Sequence, residues 1–159
     1  MTSQKRCPYH IFEGRQAQSL YQAKRGQVLE KDSMKQVDIR IHKNWEDFVA
    51  KNPADHYFYM TRYGKKAPSM FDFTKETEDI YLVLGKESTG IDKAILKGHL
   101  ETCMRLPMVA NARSLNLSNC AAIIVYEVLR QLDYPNLSAT EQLKGEDFLE
   151  TLELDGPLR

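Results

Sequence analysis

The stretch from Met104 to Gln131, MRLPMVANARSLNLSNCAAIIVYEVLRQ, limits what this chain can fold into more than any other part of it. It reads as a strand stopped by Pro107, a polar turn dense in Ser and Asn, and then a helix over 120–132 that is apolar on almost every side. A surface helix needs one apolar stripe, so a helix without a broad polar face needs packing partners all round. The expectation is a helix in the middle of the fold, with a polar turn at its start where chemistry concentrates.

The segments before it have the grammar of a parallel sheet. Val37, Ile39 and Ile41 alternate with Asp38, Arg40 and His42, which predicts a strand with its isoleucines inward. Asn44 stands at an N-cap position, with Glu46 and Asp47 in the first turn and Trp45, Phe48 and Val49 as the apolar face of a short helix ending near Asn52-Pro53. Residues 56–61 form an aromatic strand, 62–78 a loop, and 80–84 a continuous apolar strand of the kind buried on both faces. Gly85 follows directly, in a Gly85-to-Gly90 loop. A glycine there lets a ligand approach the backbone at the carboxyl end of a strand, and a plain strand-to-helix turn would read the same way. Asp92 then caps a helix over 93–96 that stops at Gly98, and a strand over 102–106 follows. Strand, helix, strand, helix predicts an α/β fold with a mostly parallel sheet flanked by helices.

A chain of 159 residues is expected to form one domain, with an atypical block at 1–36, a core at 37–136 and an acidic tail at 137–159. Within the first block only a strand at 9–12 and a helix somewhere in 16–29 are expected. That block has more Lys and Arg than Asp and Glu, which reads either as an RNA-facing patch or, more commonly for such a run, as a solvated arm. Over the whole chain 22 basic residues balance 22 acidic ones, so nucleic acid binding would need a local patch. The polar start lacks a signal-peptide core and no apolar run is long enough to span a membrane, so a cytoplasmic, membrane-free protein is expected. Cys7, Cys103 and Cys120 are scattered without metal-ligand spacing and read as reduced thiols, two of them in the core, with no metal expected.

Two motifs carry a resemblance. LGKESTGID at 84–92, followed by the Arg113-Ser114-Leu115-Asn116-Leu117-Ser118-Asn119 turn and Tyr126-Glu127, resembles the SPOUT methyltransferases, the class built on a deep trefoil knot. Within it the chain is most similar to the small tRNA 2′-O-methyltransferases that modify the wobble cytidine or uridine, from about Val37 to Tyr134 and including Tyr59-Met60-Thr61. The resemblance implies a C-terminal knot, a homodimer packed through the knot helices, a tRNA anticodon partner and an S-adenosyl-L-methionine cofactor. It places the cofactor at Met60, Gly85, Leu106, Met108, Ser114 and Asn116. Arg113, Ser114 and Tyr126 fall at catalytic positions. From the residues alone, Ser114, Asn116 and Ser118 could equally cap the helix, and Tyr126 could be core.

In that family a proton-accepting arginine belongs to an early Asn-Thr-Gly-Asn-Ile-X-Arg segment. Nothing in residues 1–36 matches it. Three readings fit that departure: a chain that begins from an altered or out-of-frame upstream region, a truncated paralogue that binds cofactor or RNA without methylating, and a divergent enzyme with a rebuilt amino-terminal block.

Overall fold

Short runs rich in aromatic and aliphatic residues form parallel strands in two groups. The computed structural model describes residues 9–12, 39–85, 89–112, 115–135 and 137–153. Strand β1 (Tyr9–Phe12) pairs in parallel with β2 (Ile39–His42), Tyr9 opposite Ile39 and Phe12 opposite His42. Strands β3 (Tyr57–Met60), β4 (Tyr81–Leu84) and β5 (Cys103–Met104) form a second parallel sheet with β3 in the centre. The α-helices described are α1 (Trp45–Lys51), α2 (Lys93–Lys97), α3 (Leu117–Gln131) and the short α4 (Phe148–Thr151). The α/β class with parallel strands is as expected; the helix expected within 16–29 lies outside the described residues.

Local chemistry sets the helix ends. Asn44 Oδ1 accepts from Asp47 N at 2.8 Å, and Asp92 Oδ1 accepts from Ala94 N at 2.8 Å, each satisfying a backbone donor that the first turn leaves orphaned. Asn52 ends α1 as the C-cap, and Gly98 ends α2.

Successive side chains of a strand point to opposite faces, and β3 uses both. Phe58 joins Phe73, Met104, Leu106, Ile124 and Val128 in a cluster under α3. Tyr59 joins Ile91, Leu96 and Cys103, with Trp45 and Tyr57 packed against them, on the side of α1 and α2. The central strand is therefore covered by helices on both sides.

Four expectations need correction. The inward face of β2 is the opposite one: His42 is buried with its ring edge-on to Phe48 at 5.3 Å, while Ile41 is 64% exposed, because α1 covers the face that His42 occupies. Strand β4 is half-buried rather than buried on both faces, being an edge strand bonded to β3 alone among the described residues. Strand β5 has two residues, because 100–102 turn as a 3-10 helix and Arg105 N instead donates to Lys66 O at 2.9 Å. Helix α3 is not buried all round. Ile124 and Val128 are its buried residues, while Ile123, Val125 and Tyr126 are exposed.

The 62–78 loop also does more than connect. It makes 3-10 turns at Pro68–Met70 and Phe73–Lys75 and delivers Phe73, fully buried, into the cluster under α3. Of the two core cysteines expected, Cys103 is buried and Cys120 partly so, both as free thiols. Among the described residues no helix is long and apolar enough to cross a membrane.

Candidate functional site

The register of the three-stranded sheet brings three sequence-distant candidates side by side. Met60 lies opposite Leu84 on one side and Met104 on the other, so the ends of β4, β3 and β5 are level. Gly85 follows Leu84 directly, and Leu106 stands two residues beyond Met104. Leu106 is buried, and Met60 and Met108 are half-buried. Carboxyl ends of adjacent parallel strands, lined with apolar side chains and free backbone groups, are where open α/β sheets bind flat ligands.

Two glycines shape this rim for internal reasons. A Cβ on Gly85 would run into the backbone of Gly90 and Ile91, so the loop folds back onto its own start, with Gly90 in the left-handed region at φ 72°. The close backbone approach that the sequence suggested for a ligand is made by the chain itself. Gly64 faces the same constraint against Met104 and Arg105, whose backbone it touches. Thr61 N donates to Met104 O at 3.0 Å and Arg105 N to Lys66 O at 2.9 Å, so the 61–66 loop is bonded to the end of β5 on both sides of Gly64.

The described residues include only part of the polar turn before α3. Arg113 and Ser114 lie outside the described residues. Asn116 is the N-cap of α3, its Oδ1 accepting from Ser118 N at 2.9 Å, so the capping role read from the residues is present. Tyr126 is 63% exposed with its ring 6.3 Å from that of Tyr134, which removes the core reading for it. Nine residues beyond Leu117, it stands about 14 Å along the helix from the turn, at ~1.5 Å of rise per residue. Met60 and Leu106 are therefore brought together within the chain, with Gly85 directly after Leu84 at the next strand end, while Tyr126 stands exposed on α3.

A polar network that sequence reasoning missed ties α3 to the 62–78 loop. Gln131 Nε2 donates to Phe71 O at 3.0 Å, and Phe73 N donates to Gln131 Oε1 at 3.0 Å. Glu127 accepts from Gln131 at 2.8 Å and from Arg130 Nη2 and Nε at 2.9 and 3.0 Å. Hydrogen bonds from Arg130 and then Gln131 pull the Glu127 carboxyl down to about 2. The i, i+3 and i, i+4 spacing of Glu127, Arg130 and Gln131 was the available signal; that Gln131 turns inward was not. On the other side of the sheet the buried Tyr59 phenol is pushed up by desolvation, and its ring stacks on His99 at 5.2 Å.

A separate open cleft of about 630 Å³ lies toward the amino ends of β3 and β5, lined by residues that include Asp55, His56, Phe58, Lys66, Glu76 and Thr102. His56 Nδ1 meets Glu76 there at 3.1 Å. Its charges are of both signs, and none of the candidate cofactor positions lines it. Among the described residues no group of three or more His, Cys, Asp or Glu is placed to hold a metal ion.

The parallel sheet and the rim at its carboxyl ends define a class that comparison with known proteins identifies. The chain belongs to the SpoU rRNA Methylase family, whose profile matches residues 10–126 and so reaches into the amino-terminal block. Among individual relatives, a Geobacillus stearothermophilus protein is 38% identical over 102 residues and a Bacillus subtilis protein 39% identical over 101, both provisionally named tRNA (cytidine(34)-2′-O)-methyltransferase. These matches cover 64% of this chain and 65% and 63% of the two relatives, so the chain spans somewhat less than two thirds of the length of the curated relatives it matches. A crystal structure of a provisionally assigned RNA methyltransferase from Bacillus anthracis is 36% identical with a TM-score of 0.68, covering 81% of this chain and 80% of that one.

Proposed function

We propose that this chain is an S-adenosylmethionine-dependent tRNA 2′-O-ribose methyltransferase acting on the wobble nucleotide of the anticodon. The observation that carries the reading is the alignment of Met60, Gly85 and Leu106 at three level strand ends, in a family whose relatives bear that provisional name. The residues fit the cofactor: adenine needs apolar walls and backbone donors and acceptors, and Met60, Leu106 and Met108 offer the walls beside the irregular backbone that follows β5. Asn116 holds the turn in place by capping α3. Arg113 and Ser114, on that turn, are assigned to orient the ribose and the methionine end.

When bound, S-adenosylmethionine supplies an electrophilic methyl group. The protein's share is to hold the ribose 2′-hydroxyl in line with it and to help the hydroxyl proton leave, since a hydroxyl is a poor nucleophile at neutral pH. The reading includes a C-terminal trefoil knot, which the family resemblance implies. It includes a homodimer through α3, whose exposed Ile123, Val125 and Tyr126 call for cover that the described residues do not give. In such a dimer Tyr126 would serve from the helix face shared with the second copy. A tRNA substrate sets the cytoplasm as the place of action.

Incubating the protein with labelled S-adenosylmethionine and unmodified tRNA tests the proposal, which expects label in the RNA. One observation favours a second reading, a chain that binds cofactor without turnover: residues 1–36 lack the family's Asn-Ile-X-Arg segment. Tight cofactor binding with no label in the RNA would decide for it, and grafting that segment should then restore transfer.

A further inference from the structure

The two segments that meet at the end of β5 carry an unbalanced charge. Residues 56–71 contain Arg62, Lys65 and Lys66 and no Asp or Glu, and residues 102–126 contain Arg105 and Arg113 and again none. In a chain whose 22 cations and 22 anions cancel, this is a local concentration of one sign. The acids nearest in the cleft that Lys66 lines are each engaged: Glu101 pairs with Lys66 at 3.2 Å, Asp72 with Lys75 at 3.3 Å and Glu76 with His56 at 3.1 Å, and Asp55 accepts from the Thr77 hydroxyl at 2.7 Å. Arg62, Lys65 and Arg105 are exposed.

An aromatic ring stands among these cations. Tyr63 is 61% exposed, and the Arg62 guanidinium lies 5.7 Å from its ring centroid. The backbone under it is braced: Tyr63 N donates to Thr61 Oγ1 at 3.3 Å, Gly64 N to Thr61 O at 3.2 Å, and Gly64 is packed on Met104 and Arg105 with no room for a side chain. A large aromatic held outward on a fixed loop contributes little to the fold. Beside cations it makes a stacking surface for an unpaired base with charge for the flanking phosphates.

We propose that Arg62, Tyr63, Lys65 and Arg105 form the RNA-docking platform of this chain, with Tyr63 stacking on an unpaired nucleotide of a stem-loop and the three cations contacting its phosphates. Met60, three residues before Tyr63, and Leu106, beside Arg105, place the platform at the mouth of the candidate cofactor rim. The proposal rests on the RNA-methylating reading for its partner but moves RNA contact away from residues 1–36 and onto the sheet end. An acidic protein would use the cations and leave the exposed ring without a purpose.

The test is binding of an unmodified 17-nucleotide anticodon stem-loop to the full chain across a salt series, alongside S-adenosylmethionine calorimetry. Tyr63→Ala should weaken the RNA roughly five- to hundredfold, the range of a single base stack, while Tyr63→Phe retains affinity. The Arg62→Gln, Lys65→Gln double variant should lower the slope of log affinity against log salt by about 1 to 2. All should unfold at the wild-type temperature and bind the cofactor as wild type does, since the altered side chains are exposed. Variants that bind the stem-loop as tightly as wild type, or a polyglutamate probe that binds wild type as tightly as the RNA does, would overturn the platform. A wild-type chain that binds cofactor but no RNA would overturn both the platform and the tRNA reading. Tyr63-dependent RNA binding without methyl transfer would uphold the platform while overturning the catalytic claim.

Discussion

The two faces of α3 have nearly the same composition and opposite surroundings. Ile124 is 1% exposed and Val128 is buried, packed on Phe58, Phe73, Met104 and Leu106, whereas Ile123, Val125 and Tyr126 face outward. Hydrophobicity alone treats the two faces alike. What separates them is which face the sheet and the 62–78 loop reach, and the Gln131 network fixes that choice by bonding the helix to Phe71 and Phe73. One face is covered by the chain's own core; the other is uncovered among the described residues, and the proposed dimer would bury it.

That contrast is breakable by substitution. Ile124→Asp should cost about 3–5 kcal/mol, the scale of an unpaired buried charge, read as a collapse of the thermal midpoint. Gln131→Ala should cost less, about 1–3 kcal/mol, by leaving the Phe73 amide and the Phe71 carbonyl without their partners, and denaturant unfolding would measure it. Ile123→Glu on the outward face should change protomer stability by about 0.5 kcal/mol or less while shifting the mass in solution toward the monomer. An Ile123→Glu chain that unfolds as Ile124→Asp does would show that both faces are internal.

A fourth prediction sharpens the same contact through pH. The Glu127 carboxyl is held at about 2, below its ordinary 4.5, by Arg130 and Gln131. Its stabilising share is therefore full above about pH 4.5 and is lost as pH falls toward about 2. Glu127→Gln should flatten stability against pH within that window and leave the remainder of the acid transition unchanged, which acid titration followed by circular dichroism would show.

Much of the architecture was legible because short-range chemistry specifies it. Asn44 and Asp92 cap the helices at which they stand, Gly98 ends α2, and the apolar runs at 57–60 and 81–84 are parallel strands. Two of the errors, at β2 and α3, share one cause: periodicity gives the two faces of an element but not which face the rest of the molecule covers. β2 presents His42 to α1 in place of Ile41, and α3 buries one stripe of an apolar surface. The 62–78 loop looked polar and irregular, yet its Phe73 is core, since a single aromatic in a loop carries no period to detect. At the candidate site, the grouping of Met60, Gly85 and Leu106 came from motif resemblance and is a matter of register in the structure. Gly64 and the cations around it escaped notice because their meaning depends on β5, about forty residues away.

The central claim is a chain that moves a methyl group from S-adenosylmethionine to the ribose oxygen of a wobble nucleotide. The most direct measurement is transfer of labelled methyl to two synthetic anticodon stem-loops that differ only in bearing a 2′-hydroxyl or a 2′-deoxy sugar at that position. The account predicts label in the first and none in the second. Equal labelling of both, or no labelling of either by a chain that binds the cofactor, would contradict it.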